Sequence, residues 1–182
     1  HAAQRAEQRA DEVAWLSRLG ADALNAGRAV DALAAIAAVV RRTLDATECT
    51  IHGWSESGVG AQPLARDGDP GPDPEPPALE LAAWAGTHGR AAGVRRDGAV
   101  VHEARGAGGE ALGIDAGDLR FVALPLQVNG RTVGVLTVAA GEPIARGEAR
   151  RRFLDALAYY AALGLERLRL ESEAEHAAAL RE

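Results

Sequence analysis

Five histidines, at positions 1, 52, 88, 102 and 176, and a single cysteine, Cys49, are the side chains of this 182-residue chain best suited to ligation or attack. Their spacing argues against both. A zinc site needs several convergent His or Cys ligands, and no two of these histidines stand four residues apart. One cysteine cannot close an internal disulfide, nor supply both a nucleophile and a resolving thiol. All twenty basic residues are arginine, and a GxxxxGK phosphate loop cannot be built without lysine. The GAGG stretch at Gly106 to Gly109 lacks the preceding long strand and following helix of a dinucleotide site. No catalytic residue, metal ligand or cofactor is therefore assigned. What remains is recognition of an unidentified small molecule. Trp54, Trp84, His88, His102 and Phe121 are the candidate ligand-binding residues, since such pockets combine aromatic walls with a few polar groups. For the three aromatics the competing role is plain core, and for Cys49 it is a small buried hydrophobe in a strand.

These residues need elements to hold them. Ala2 to about Asn25 has helical spacing, with Val13, Leu16, Leu19, Ala23 and Leu24 recurring every three or four residues. A second helix is predicted from about Val30 to Asp45, its stripe formed by Val30, Leu33, Ile36, Ala37, Val40 and Leu44. Thr47 to Trp54 switches to strand period, with Cys49 and Ile51 on one face and Thr50 and His52 on the other. Ser55 to Pro77 holds six prolines and reads as a loop, with room for a short strand near Ala61 to Arg66. Ala78 to His88 returns to helix, with Leu79, Ala82, Ala83 and Trp84 able to pack. A short strand at Ala99 to Glu103 and a glycine-rich loop at Ala104 to Gly117 follow.

Leu119 to Ala140 is two apolar runs joined by Asn129-Gly130, the pair that accepts the two positive φ angles of a type I′ hairpin turn. Counting outward from that turn pairs Leu126 with Val133, Leu124 with Val135, Pro125 with Gly134 and Phe121 with Val138. Pro125 cannot donate to a ladder, so an irregularity is expected beside it. Arg146 to Glu182 has no proline and two glycines. It reads as a long helix that packs through Phe153, Leu154, Leu157, Tyr160, Ala161, Leu165 and Leu168, then leaves the body beyond Leu170.

Composition sets the scale of the core. The chain is 47% hydrophobic, yet 41 of those 86 residues are alanine, and Leu, Val, Ile and Phe total 39. That supplies one modest core. A net charge of -6 disfavours nucleic acid, which demands a basic face. No stretch of about 18 apolar residues is present, so no membrane contact is expected of this segment. The one cysteine suits a reducing, cytoplasmic setting, and the leading His1 without a methionine points to an excised piece of a longer protein.

The order of these elements resembles a GAF domain, and FVALPLQVNGRTVGVLTVAA is similar to that family's PL…G…GVL.V hairpin. ELAAWAGTHGRAAGV, with Trp84, His88, Gly89 and Gly93, resembles the helix-to-loop segment of GAF domains in KdpD-type sensor histidine kinases. LERLRLESEAEHAAALRE is similar to the helix leaving such a domain toward kinase helices. The segment VRRDGAVVHEARGAGGEALGID departs from the KdpD pattern, so potassium sensing is not carried over.

The resemblance implies an α+β, PAS-related fold with a central antiparallel sheet of five to six strands. The terminal helices would pack on one face, and the variable helix and loops on the other. It divides the chain into a signalling or dimerisation helix at 1–27, a GAF domain at 28–168 and an exit helix at 169–182. It implies a non-enzymatic sensory or regulatory domain, a homodimer through the terminal helices, joined in the full-length chain to a kinase output domain. The alternative is a ligandless dimerisation spacer in a phosphatase, cyclase or transcriptional regulator. Two activities within the family are disfavoured by the residues present. Free methionine sulfoxide reduction needs several cysteines, and Cys49, the one candidate for bilin attachment, reads instead as a small buried hydrophobe on the inner face of the first strand.

Overall fold

The computed structural model describes residues 27–60, 63–69, 76–102, 119–141, 144 and 148–181, with positions 3, 14 and 18 besides. Of the helix expected over Ala2 to Asn25 only positions 3, 14 and 18 are described, each helical, and the loop expected over Ala104 to Gly117 lies outside the described residues. The elements are α1 (Ala29–Thr43), β1 (Glu48–Ser55), β2 (Gly58–Val59), β3 (Ala65–Gly68), α2 (Pro76–His88), β4 (Ala92–Arg95), β5 (Val100–His102), β6 (Leu119–Val128), β7 (Arg131–Ala139) and α3 (Glu148–Ala179). The strands form one antiparallel sheet in the order β2-β1-β7-β6-β4-β5, and β3 pairs beside β2 on the same outer edge of β1.

Helix α1 buries Ala29, Ala32, Leu33, Ile36, Ala37, Val39 and Val40. Val30, expected in the stripe, is 38% exposed, because the buried arc runs through Ala29 and Leu33 and leaves Val30 on its flank. The helix ends in a Schellman turn: Ala46 N–H donates to the Arg41 carbonyl at 2.9 Å and Asp45 N–H to that of Arg42 at 3.3 Å. Asp45 takes the left-handed conformation, φ 52°, that this closure requires. Arg41 then reaches across to an ion pair with Asp67 of β3, which ties the outer edge of the sheet to the helix.

The hairpin forms as expected at its tip, with φ 51° at Asn129 and 75° at Gly130 and Val128 opposite Arg131. Its register then departs from the arithmetic. The pairing slips by one between Leu126 and Gln127, so Leu126 faces Gly134, Leu124 faces Leu136, Val122 faces Val138 and Phe121 faces Ala139. One extra residue on β7, Val133, makes the bulge. A single-residue slip moves every later β7 side chain to the other face. It gathers Val122, Leu124, Leu126, Leu136 and Val138 under α1 and α3, and turns Val135 and Ala123 toward α2. Pro125, where an irregularity was expected, pairs with Val135; the irregularity falls farther toward the turn, between Leu126 and Gln127, and it reassigns the faces.

Strand β4 was not expected from sequence. Ala92-Gly93-Val94 has little β-branched character, and its place in the sheet depends on proximity: a Cβ on Gly93 would lie 2.8 Å from the Phe121 carbonyl oxygen. Glycine lets the β4 backbone approach β6 that closely.

Thirty-two residues make α3 about 48 Å long. Its first half buries Phe153, Leu154, Leu157, Ala161, Ala162 and Leu165 against the sheet and α1. Gly164 explains how the two helices come together, since a Cβ there would stand 2.9 Å from Leu33 Cδ2. Residues 172–181 are exposed throughout. The incoming helix α1 and the outgoing helix α3 therefore share one face of the sheet, and α2 covers the other.

Candidate functional site

Alternation along β1 sends Cys49 and Ile51 into the helical core and Thr50, His52 and Trp54 toward the α2 face. On that face the contact surface is built from small residues: Ala82 and Ala85 of α2, Ala92 of β4, Ala123 of β6, together with Leu81, Val94 and Val135. Leu79, expected to pack, is half exposed instead, one turn before the buried Ala82. Small side chains bring α2 close to the sheet, and Gly86 brings it closest. A Cβ on Gly86 would lie 2.1, 2.3 and 2.7 Å from Cζ3, Cε3 and Cη2 of Trp54, a clash with its six-membered ring. Trp54 therefore occupies the space between helix and sheet, and the Gly86 backbone lies directly on it.

All five sequence candidates lie on this face, in two groups. Trp54 and Phe121 pack against the small-residue core. Trp84, which also touches that core, gathers the other two. Its ring stacks on His88 with centroids 4.3 Å apart and planes 18° from parallel, and it meets His102 of β5 at 4.1 Å and 42°. Sequence reasoning missed a further member: the Arg90 guanidinium carbon lies 5.1 Å from the Trp84 ring centroid, a cation–π geometry. The signal was legible, since Arg90 follows His88 by two residues, across the left-handed Gly89 (φ 62°) that turns the chain back along the helix end.

His88 Nδ1 lies 2.9 Å from the Trp84 carbonyl oxygen. A carbonyl only accepts, so Nδ1 carries the proton and closes the last turn of α2. The group presents an indole, two imidazoles and a guanidinium at the sheet edge, which suits contact with a planar or anionic ligand group. Among the described residues no cluster of three or more His, Cys, Asp or Glu is arranged to hold a metal ion.

His52 was read only as a strand residue, yet it is a buried titratable group on this face, 8% exposed. Its Nδ1 donates to the Gly60 carbonyl at 3.1 Å, pinning the β2 turn to β1. Burial, above all, holds its pKa below the ordinary 6.5; the Gly60 bond opposes this, Arg66 adds to it and Glu48 opposes it. The unfolded chain thus takes up the proton first, and the stability due to neutral His52 is full above the free-histidine value and lost as pH falls below it. Urea titrations at about pH 7.5 and about pH 5.5, bracketing that value, are expected to show a lower midpoint in acid. His52→Gln is expected to remove part of the difference, and an unchanged difference would assign the acid sensitivity to other groups.

Cys49 is fully buried. Desolvation first, then the charges of Asp67 and Glu48, push its thiol far above the ordinary value. A thiol held protonated is a poor nucleophile, and its position on the helical face separates it from the Trp84 group. Among the described residues no helix is long and apolar enough to cross a membrane.

No curated protein matches the chain. Solved structures do. A GAF domain of a phosphoenolpyruvate-protein phosphotransferase from Coxiella burnetii superposes with TM-score 0.62 at 16% identity, covering 89% of this chain and 96% of that one. The GAF domain of the potassium sensor histidine kinase KdpD from Escherichia coli gives 0.58 at 23% identity, covering 87% and 96%. A free methionine-R-sulfoxide reductase from Neisseria meningitidis gives 0.59 at 16%, covering 86% and 89%. At these identities the likeness is one of fold. The sequence profile of the GAF domain matches residues 30–167, most of the chain, and the layered sheet just described is the one these structures share. The chain belongs to the GAF domain family.

Proposed function

We propose that this chain is a non-enzymatic sensory or regulatory GAF domain of a bacterial, cytoplasmic signal-transduction protein, a two-component sensor histidine kinase, working as a homodimer through its terminal helices. The observation that carries the reading is the side-by-side packing of α1 and α3 on one face, with α3 continuing past the core. A ligand at the Trp84, His88, His102 and Arg90 group, or a displacement of the incoming chain, acts by favouring one arrangement of these helices over another. The similarity to the KdpD GAF domain supports the kinase assignment. Against an enzyme stands the buried, protonated Cys49, which suits no sulfoxide reduction.

Light scattering over a concentration series tests the dimer. A mass approaching twice 18.9 kDa is expected, and a monomer at every concentration would reject the relay as a dimer. A thermal-shift screen with small aromatic and anionic metabolites tests the ligand. Stabilisation that is lost in His88→Ala and His102→Ala variants is the expected result.

A second reading has its own observation. Trp54 fills the space at Gly86, as a ligandless spacer would require. A screen without any stabilisation, with dimerisation intact, would favour it.

A further inference from the structure

Helix α1 begins without a cap of its own. Arg28, at the capping position, is extended (φ −121°, ψ 143°) and its side chain makes no capping hydrogen bond. The first amide of the helix is satisfied from 142 residues away: Ala29 N–H donates to Glu171 Oε2 of α3 at 3.4 Å. The same turn of α3 holds the chain just upstream, where Arg167 Nη2 donates to the Gly27 carbonyl at 3.0 Å. Arg167 and Glu171 are themselves joined, Nε to Oε1 at 2.8 Å. Gly27, Arg167, Glu171 and Ala29 thus close a ring that grips both ends of the short segment leading into α1. The carboxylate also sits at the positive end of the helix dipole, where a negative charge is favoured.

The ring is placed where control of α3 would matter. Leu165 is the last buried apolar residue of that helix, and residues 172–181 are exposed. Between them, charge takes over from packing. Glu166 accepts from Arg131 at the hairpin tip and from Arg169 at 3.0 Å. The Arg169 hydrogen bond, against some burial and aided by the charges of Arg169 and Arg131, holds Glu166 below the usual carboxylate range. One flank of α3 is therefore fixed to the sheet, and the next flank to the incoming chain.

We propose that Arg167 and Glu171 form a regulatory joint that fixes the direction of the chain entering α1 relative to the helix that leaves, so a displacement of either is passed to the other without crossing the core. The proposal deepens the relay reading by naming its contact. It concerns this chain alone, so failure of the dimer or of ligand binding would leave its test unaffected. Because both side chains are about one-third exposed, salt weakens the joint by screening.

Amide NMR tests it. Glu171→Gln is nearly isosteric, and in it the Ala29 and Val30 amides are expected to exchange about fivefold to tenfold faster, the scale of losing one helix cap. Residual dipolar couplings of Gly27 and Arg28 are expected to shrink as that segment reorients. Arg167→Met should do the same, the double variant no more than either single one, and high salt should reproduce the effect in the unaltered chain. Arg28→Ser in the Glu171→Gln background separates a joint from a mere cap. It supplies a local cap for the second or third amide of the helix, so slow exchange at Val30 should return while the Gly27 couplings stay reduced. Unchanged exchange in Glu171→Gln, or couplings restored together with the cap, would overturn the proposal.

Discussion

Phe153→Ala is expected to destabilise the domain by about 3–5 kcal/mol, the range for deleting a buried phenyl ring from a core. Phe153 is 1% exposed and among the largest fully buried side chains. It lies in the first turns of α3, within the core shared by α1, the sheet and α3. That core is built mainly of Leu, Ile and Val side chains, and Phe153 is its one phenyl ring. Against a total of about 5–15 kcal/mol for a domain, the loss is severe. Urea unfolding followed by circular dichroism should show a lower midpoint with an unchanged slope. Phe153→Leu should recover much of the difference. A change below about 1 kcal/mol for Phe153→Ala would mean that α3 does not dock through this residue.

Gly86→Ala is expected to cost about 1–3 kcal/mol, as overpacking does in a well-filled interior. Helix propensity alone gives the opposite sign, because alanine is favoured over glycine in a helix interior by about 1 kcal/mol. The two effects can be weighed because the obstruction is rigid. The new methyl would clash with the ring of Trp54, which packs against the cluster between α2 and the sheet. A flexible side chain could yield; an indole with only two rotatable bonds has to move as a whole. Trp54→Val should therefore reverse the effect, leaving Gly86→Ala neutral or stabilising in that background. Such non-additivity is the signature of two residues competing for one space. The sign also bears on function. Destabilisation means that Trp54 fills the region between α2 and the sheet in the resting state, so any ligand has to bind at the Trp84 edge or displace Trp54. Stabilisation by Gly86→Ala would mean that the region is open.

Much of the architecture was legible because it is local. The α1 stripe, the switch to strand period at Cys49, the Asn129-Gly130 turn and the long proline-free C-terminal segment each follow from the spacing of a few adjacent residues. The candidate site was legible in part. Trp84 and His88 are one helical turn apart, so their stacking is nearly implied by the helix itself. His102 joins them only because β5 pairs with β4, and β4 is a run of Ala, Gly and Val that carries little strand signal. Arg90 depends on the left-handed Gly89. His52 passed as an ordinary strand residue, because its burial depends on the β2 turn folding over it to present the Gly60 carbonyl.

The sequence by itself determined the main helices, the hairpin turn and the absence of a competent thiol pair, since these rest on residue types and short-range periodicity, and motif resemblance pointed to the fold family; the single core expected from composition is instead two clusters, one on each face of the sheet. Tertiary structure decided which face each β7 side chain joins, through one extra residue at Val133. It also decided which residues share a site. The occupation of the Gly86 region by Trp54 and the capping of α1 by Glu171 join positions 32 and 142 residues apart. Contacts of that range have no periodic signature. They arise when helices and sheet pack, and the glycines and alanines that permit the closest approaches reveal their purpose only once the partner surface is in place.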